Sequence, residues 1–475
     1  MSAKVVWAIA SQEIRHSLRN RSFLGLLGLL LLLFAASAFV STKAHLRSGE
    51  EIAHLQELVD KQWREQPDRH PHRVAHYGYL AFRPRSPLGF FDFGVSDFTG
   101  NSIFLEAHVQ NSANFSEARQ DSSLLRFGAL TPAFVLRLLV PLLAIFLMGS
   151  SIGRERESGT LAQVLSLGVR WRELIVGKAL GGLTVFALLL LPAAAAVSLV
   201  AAQTTGSATG QDLVRLCLLG VAYSLYLGGW VLISLLVSAK ARTSGRATVT
   251  LLAFWIVTTT FLPKALPSLG AYLYPAPSRP EFEHTLHLEA VKGGHGHDPK
   301  AAQFEDKKKA LLKEYKADSI EELPVNWRGI AMKEGEKAST EVYKRHYESL
   351  QQTYSRQNRV AQLGSVVSPY LALKTLSAAL CGTDFRAAVQ FEREAENYRY
   401  ELIQKLNNLH IHEVGYKDDK SQRVSSDHWG EFDKFHYDRP FLSQDLADSK
   451  IVIIMLLLQS VFLALAAFQM RGAAR

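Results

Sequence analysis

The sequence predicts an all-α polytopic membrane protein, with six transmembrane helices and two extracytoplasmic insertions that form one mostly helical domain. Three observations support this fold class. Six apolar runs each approach the roughly 20 residues that a helix needs to cross a bilayer. Two long polar stretches lie between them, and Lys and Arg residues collect beside alternate ends of the runs.

The predicted elements begin with an amphipathic cytoplasmic leader at 1–21, whose apolar residues alternate with basic ones as in interfacial helices. Ala36, Ser37 and Ala38 imitate a signal-peptide cleavage site, but the apolar run before them is long for a signal core, which favours a retained span. We predict transmembrane helices at 22–40, 131–152, 175–202, 213–237, 247–263 and 450–470, extracytoplasmic insertions at 41–130 and 264–449, and a cytoplasmic hairpin at 153–174.

The distribution of basic residues favours a membrane protein over a nucleic-acid-binding protein. The net charge is +9, and much of it lies beside the apolar runs. If the spans alternate, these basic residues fall on one side, so the positive-inside rule predicts a multi-pass protein of the bacterial inner (cytoplasmic) membrane with both termini in the cytoplasm. Membrane lipid is therefore an expected partner and nucleic acid is not. The two cysteines, Cys217 and Cys381, cannot form a disulfide within the external face.

The two insertions carry mainly helical patterns. The first is expected to open with a helix at 43–66. The second is expected to start with an extended proline-rich segment at 263–280 and a histidine-bearing loop at 281–299, followed by helices at 300–317, 327–364 and 385–408. Within the longest of these helices, a seam of coiled-coil spacing calls for a partner helix in this chain or in a second copy. The seam residues are Tyr343, Tyr347, Leu350, Tyr354 and Ala361.

A charged segment between the second and third spans is the first candidate site. Leu161, Val164 and Leu165 share one helical face, and charged residues at 154–157 crowd the first turn. A charged hairpin between two spans must lie at the water interface. It is either an ordinary charged loop or a docking helix for a cytoplasmic partner.

The residues of this hairpin resemble a known family. Glu-Arg-Glu-Ser-Gly-Thr-Leu at 155–161, with Glu-Leu-Ile-Val-Gly-Lys at 173–178, is similar to the hairpin of type-2 ATP-binding-cassette (ABC) exporter permeases, although Gly168 stands where many relatives have proline. The leader at 13–21 and the segments at 368–369, 382–384, 395–399 and 406–407 resemble a subfamily with a large extracytoplasmic insertion of uncharacterised role. The resemblance implies an ATPase-coupling role for Arg154, Glu155, Arg156, Glu157, Gly159, Thr160 and Leu161.

The expected function is that of a permease subunit in an ATP-driven ABC exporter. The chain has no phosphate-binding loop, because Gly177-Lys178-Ala179 lacks the hydroxyl and the preceding glycine. We therefore expect no enzyme activity and no cofactor in this chain, with ATP and Mg bound by a separate cytoplasmic ABC ATPase subunit. The resemblance also implies a dimer with a second copy or a sister permease. The alternative is an ABC-type mechanotransmission complex that moves the external domain without a transported substrate.

Polar residues within the spans are candidates for a substrate pathway. Arg137 and Arg215 lie near the outer ends of their spans, where they either contact substrate or extend to the interface. Thr258, Thr259 and Thr260 either line a pathway or bond to their own helix.

Histidines are abundant outside the spans. His295 and His297 are weak candidates for a metal site, since imidazole suits zinc and copper. We favour solvated loop histidines, including His410 and His412, and expect no metal.

Overall fold

The computed structural model describes residues 1–114, 130–204, 210–292 and 298–470, and these are mainly helical. A small antiparallel sheet pairs β1 (Tyr79–Phe82) with β2 (Ser102–Leu105). The helices are α1 (Ala3–Arg19), α2 (Arg21–Arg64), α3 (Pro71–Tyr77), α4 (Pro132–Glu157), α5 (Thr160–Ser166), α6 (Trp171–Thr204), α7 (Gly210–Lys240), α8 (Ser244–Leu273), α9 (Arg279–Lys292), α10 (Glu305–Tyr315), α11 (Trp327–Leu363), α12 (Pro369–Leu380), α13 (Phe385–Glu413), α14 (Leu442–Asp448) and α15 (Lys450–Gln469). Short 3₁₀ turns lie at Ala302–Phe304, Ile320–Glu322, Gly364–Val366, Asp419–Ser421 and Ser426–Glu431.

Six of the described helices, α2, α4, α6, α7, α8 and α15, are long and apolar enough to cross a membrane. The most buried of them is α4, with 67% of its apolar part buried, whereas α15 has only 17% buried. The outer helices therefore turn many apolar side chains outward, as Leu32 and Phe462 do. Such a continuous apolar exterior is compatible with a membrane protein.

The first membrane-length helix continues far beyond the predicted span. Asn20 caps α2 by accepting the Phe23 N–H at 3.1 Å, and the helix then runs without interruption for 44 residues. The predicted span at 22–40 and the predicted helix at 43–66 are thus one rod. At 1.5 Å per residue it is about 66 Å long.

Two of the long helices contain a π-helical turn immediately before a proline. In α4 this turn is Val135–Leu139, and in α8 it is Val257–Phe261. Because proline has no N–H, Pro141 and Pro263 leave an unpaired carbonyl in the preceding turn.

Other helices then supply the missing donors. The Tyr226 hydroxyl donates to the Arg137 carbonyl at 2.7 Å, the Ser368 hydroxyl donates to the Thr258 carbonyl at 2.7 Å, and the Trp255 indole N–H donates to the Leu138 carbonyl at 3.2 Å. The prolines therefore create sites at which neighbouring helices are joined.

The two polar segments share one core. Trp63 and Ile103 from the first segment are buried together with Phe391, Leu402 and Trp429 from the second. The seam on α11 finds its partners within the chain. The Tyr347 ring packs edge-on against the α9 ring of Phe282 at 5.3 Å, and the Tyr354 ring against the α13 ring of Phe385 at 6.1 Å.

Two predictions about the second polar segment are wrong. The part expected to be extended at 263–280 is helical up to Leu273, because the π turn before Pro263 and the hydroxyl of Ser368 accommodate the proline inside α8. The predicted loop at 281–299 contains α9, which packs its Phe282 and Leu286 against α11. Its histidines and short length concealed the helix.

Candidate functional site

The hairpin between α4 and α6 consists of two short helices joined by glycine turns. The last segment of α4, Ser151–Glu157, ends just before Gly159, which has a left-handed backbone with φ 77°. Helix α5 follows, and Gly168, with φ 85°, turns the chain into α6. Glycine adopts this conformation without the steric cost that a side chain would add. The chain thus reverses within a few residues and projects α5 from the bundle.

A buried lysine fastens the base of the hairpin. The Lys178 Nζ lies 2.9 Å from the Glu13 Oε2 and 2.8 Å from the Glu155 Oε1. These three residues belong to α6, α1 and the last segment of α4, so one ammonium group joins three elements. The Lys178 side chain is only 4% exposed, whereas that of Glu155 is 28% exposed.

The first helical segment of the hairpin, Ser151–Glu157, also binds the turn between α7 and α8. The Ser244 N–H donates to Glu157 at 2.8 Å, and the guanidinium of Arg156 donates to the carbonyls of Ala239 and Ala241. The Ser238 hydroxyl accepts the N–H of Ile152 at 3.1 Å. A Cβ on the hairpin residue at 153 would lie 2.9 Å from the backbone of the same turn, so glycine allows this close approach.

Helix α1 lies across the start of α6. Gly177 faces Ile9, and a Cβ at Gly177 would lie 2.7 Å from the Ile9 Cβ. At the end of the contact, the Ser2 N–H donates to the Glu173 Oε1 at 2.6 Å. The leader is therefore a packed component of the site.

The tip of the hairpin remains on the surface. Leu167, between α5 and α6, is 83% exposed, which is unusual for a leucine next to several partly buried apolar residues. Arg154, Gly159 and Thr160 are also exposed, whereas Leu161 is buried. Of the seven predicted coupling residues, three thus face outward, Leu161 anchors α5, and Glu155, Arg156 and Glu157 bind partners within the chain.

The candidate pathway residue Arg137 is bound in a buried polar pocket. Its guanidinium lies 2.8 Å from the Asp92 carboxylate, which also accepts the Ser377 hydroxyl at 2.6 Å. The Thr383 hydroxyl donates to the Asp92 carbonyl at 2.8 Å, and Tyr370 places its ring below the guanidinium. This group, the Asp92 pocket, joins α4 to both polar segments.

Arg215 on α7 has a similar role. It lies 2.6 Å from the Asp445 carboxylate on α14 and donates to the Pro440 carbonyl at 2.8 Å. Burial raises the pKa of Asp445 to about 6, and this effect outweighs the attraction of Arg215. Both arginines thus join the bundle to the polar segments.

The candidate threonines all lie within the π turn of α8. The hydroxyls of Thr258 and Thr259 donate to carbonyls of their own helix at 2.8 and 2.6 Å, and only Thr260 is exposed. A separate apolar groove of about 510 Å³ runs between α6 and α7, with Phe186, Val197 and Tyr223 among its lining residues. None of the five pathway candidates lines this groove among the residues that the structure describes.

Sequence reasoning missed the acidic partners of these cations. Glu13 lay in the basic leader, and Asp92 lay in an aromatic loop, so neither pattern indicated a buried carboxylate. The structure also buries Glu336 on α11 against Arg399 on α13 at 2.5 Å. Burial favours a raised pKa for Glu336, but the hydrogen bond from His108 and the charge of Arg399 lower it to about 2.

The histidines are less solvated than their loop context suggests. His410 is buried, and its Nε2 lies 2.7 Å from the Asp419 carboxylate, which also accepts the Asn326 amide at 2.7 Å. The interpretation of His410 as a solvated loop residue is therefore wrong, because α13 extends to Glu413 and carries this side chain inward. His295 and His297 lie outside the described residues.

Comparison with known proteins identifies one region of the chain. Residues 281–438 match a domain of unknown function, DUF3526, which here extends from α9 beyond α13 and contains Ser377, Thr383, Glu336 and Arg399. The matched region contains neither the hairpin nor any of the six membrane-length helices among the described residues. No curated protein matches the chain.

Proposed function

We propose that this chain is the membrane-spanning permease subunit of an ATP-driven ABC exporter, inserted in a bacterial inner membrane with both termini in the cytoplasm. Six helices of membrane length support the location. The leader, the hairpin and the turn between α7 and α8 meet at one end of the bundle, which agrees with a common cytoplasmic side for the basic residues.

The observation that carries the proposal is the hairpin. A partner that pushes on α5 can transmit force to the membrane helices only if the base of the hairpin is rigid. The Lys178 ion pairs and the bonds of Arg156 and Glu157 supply that stiffness at the base, while the exposed Leu167 supplies an apolar contact at the tip.

The expected partner is a cytoplasmic ABC ATPase subunit that binds ATP and Mg, with a second copy of this chain or a sister permease completing the transporter. Closure of the ATPases would move the hairpin and, with it, α4 and α6, the two helices that the hairpin connects. A nucleotide that binds one arrangement more tightly shifts the population of conformations by that difference in affinity.

The test compares two substitutions of equally exposed apolar residues. Leu167 is 83% exposed at the hairpin tip, and Tyr272 is 82% exposed near the end of α8. Leu167→Asp should abolish co-purification with a co-expressed ABC ATPase and the permease-dependent stimulation of ATP hydrolysis in nanodiscs. Tyr272→Asp should leave both unchanged. Equal association of both variants with the ATPase would reject the hairpin as the coupling element.

A second candidate function is mechanotransmission, in which ATP hydrolysis moves the polar segments without a transported substrate. The two buried arginine–aspartate pairs favour it, because Arg137–Asp92 and Arg215–Asp445 connect the bundle to those segments. Both proposed pathway cations are thereby taken up as mechanical links.

Spin labels at the exposed Tyr272 and Glu401 would report whether α13 moves relative to the bundle. A change in the distance between the labels on ATP hydrolysis, with no stimulation by lipids, peptides or drugs, would favour mechanotransmission. Stimulation by one of these substrate classes would favour export.

A further inference from the structure

Three histidine side chains meet on the surface of the first polar segment. His72 and His76 lie one turn apart on α3, and His108 follows β2 in the chain. One ligand atom of each lies within 4.8 Å of the other two. The ring centroids are 4.7 Å apart for His72 and His76, and 5.3 Å apart for His76 and His108.

The backbone around the three rings is held in place before any ligand binds. His70 accepts the His72 N–H at 3.2 Å and so caps α3, while the Ala107 N–H donates to the Ala75 carbonyl at 3.1 Å. His108 itself has a left-handed backbone with φ 67°. A side chain in this conformation costs free energy that the surrounding contacts must repay, and such residues cluster at binding sites.

A buried carboxylate orients the third ring. The His108 N–H donates to the Glu336 Oε2 at 2.9 Å, and the His108 Nδ1 lies 3.0 Å from the same oxygen. A proton on Nδ1 shared with this oxygen would make Nε2 the nitrogen that binds a cation. Carboxylate–histidine–metal arrangements of this kind fix the tautomer and the ring orientation of metal ligands.

We propose that His72, His76 and His108 form a binding site for a divalent d-block cation of the zinc class. Zinc binds neutral imidazole nitrogens at about 2.0–2.1 Å, so tetrahedral ligands lie about 3.3 Å apart. The ligand nitrogens of the three histidines lie within 4.8 Å of one another, so they need to move only slightly closer together. Rotation of the exposed His76 side chain can bring them there. Three protein ligands leave a fourth position for water or another ligand.

The second histidine cluster, His70, His410 and Asp419, does not carry the same proposal. Asp419 already accepts the Asn326 amide at 2.7 Å and lies 3.4 Å from the Arg328 guanidinium. A cation there would displace these bonds and face another positive charge. The site at His72, His76 and His108 instead has a carboxylate behind it and an approach from solvent.

Bound zinc would join α3 to His108, which already contacts the second polar segment. His72 and His76 lie on α3, and His108 connects through Glu336 to α11. The cation would therefore stabilise the shared core from its surface. This inference does not depend on the proposed function, because it concerns residues remote from the hairpin.

The experiment uses the full chain in nanodiscs, purified with a tag free of histidine and titrated with Zn²⁺ alone. We expect one equivalent of zinc to bind and to raise the thermal unfolding temperature. His76→Ala should weaken binding at least 100-fold, and Glu336→Gln by about 10- to 100-fold. The double substitution of His295 and His297 by alanine should leave binding unchanged.

Without zinc, His76→Ala should unfold like the wild type, since this side chain is exposed. His108→Asn is a second variant, because asparagine tolerates a left-handed backbone. The proposal is overturned if the wild type fails to bind zinc, if both single histidine variants bind it as tightly as the wild type, or if binding is lost in the control double variant.

Discussion

Replacing Lys178 by methionine should release the hairpin base. The substitution keeps the length of the side chain but leaves Glu13, which is 8% exposed, without its partner at 2.9 Å. Removing one member of a buried ion pair costs about 3–5 kcal/mol, because the other charge stays buried. The equilibrium for local opening should therefore rise by roughly 150- to 4,000-fold.

The matched control is Glu155→Gln. The Glu155 side chain is 28% exposed, and its loss leaves the Lys178–Glu13 pair intact. We expect a cost of about 0–1 kcal/mol, as for a partly exposed ion pair. Combining Lys178→Met with Glu13→Gln should recover much of the stability, because the buried charge of Glu13 is then removed and the remaining carboxylate, Glu155, is partly exposed.

Hydrogen–deuterium exchange in nanodiscs measures this opening directly. Peptides from α1 and α5 should exchange faster in Lys178→Met, while peptides from α11 and α13 should be unchanged. If Lys178→Met exchanges no faster than Glu155→Gln, the assignment of Lys178 as the fastening residue is refuted. No gain in the double variant would show that lost packing, and not the stranded carboxylate, causes the effect.

Three further predictions concern packing and charge. Gly177→Ala should lower the free energy of unfolding by about 1–3 kcal/mol, because the added Cβ clashes with α1. Gly245→Ala is the control, since a Cβ there meets open space and should leave the free energy of unfolding unchanged. Thermal unfolding compares the two variants. Because the pKa of Glu336 is lowered from 4.5 to about 2, its contribution to stability is present above pH 4.5 and lost as the pH falls toward 2. Glu336→Gln should flatten this part of the pH–stability curve. Arg215→Met should lower the free energy of unfolding by about 3–5 kcal/mol at pH 8, because it leaves the Asp445 charge buried without a partner. The loss should be smaller at pH 5, since Asp445, whose pKa is about 6, is then protonated and uncharged. Denaturant unfolding at both pH values tests this.

The helical architecture could be predicted because its cause is local. Apolar runs of membrane length and the periodicity at 327–364 indicate helices without knowledge of the neighbours. The helical continuation at Pro263 could not be recognised in this way. Its proline is tolerated because a π turn precedes it and Ser368, more than 100 residues away in the chain, fills a freed carbonyl.

The roles of charged side chains depended on distant partners. The sequence marks 154–157 as a charged group, but only the structure shows that Glu157 binds Ser244 and that Glu155 binds Lys178. The spacing of His72 and His76 was visible as one helical turn, whereas the third histidine, at 108, arrives from a different element. Such constellations form through tertiary contacts that no local pattern encodes.

The Asp92 pocket imposes an order on the synthesis of the chain. Its cation, Arg137, follows 45 residues later, but the hydroxyl of Ser377 follows 285 residues later. At ordinary translation rates the interval between them is on the order of tens of seconds. Until Ser377 is synthesised, Asp92 therefore lacks one of the groups that bind it in the folded protein, and the pocket can be completed only after the second polar segment has been made.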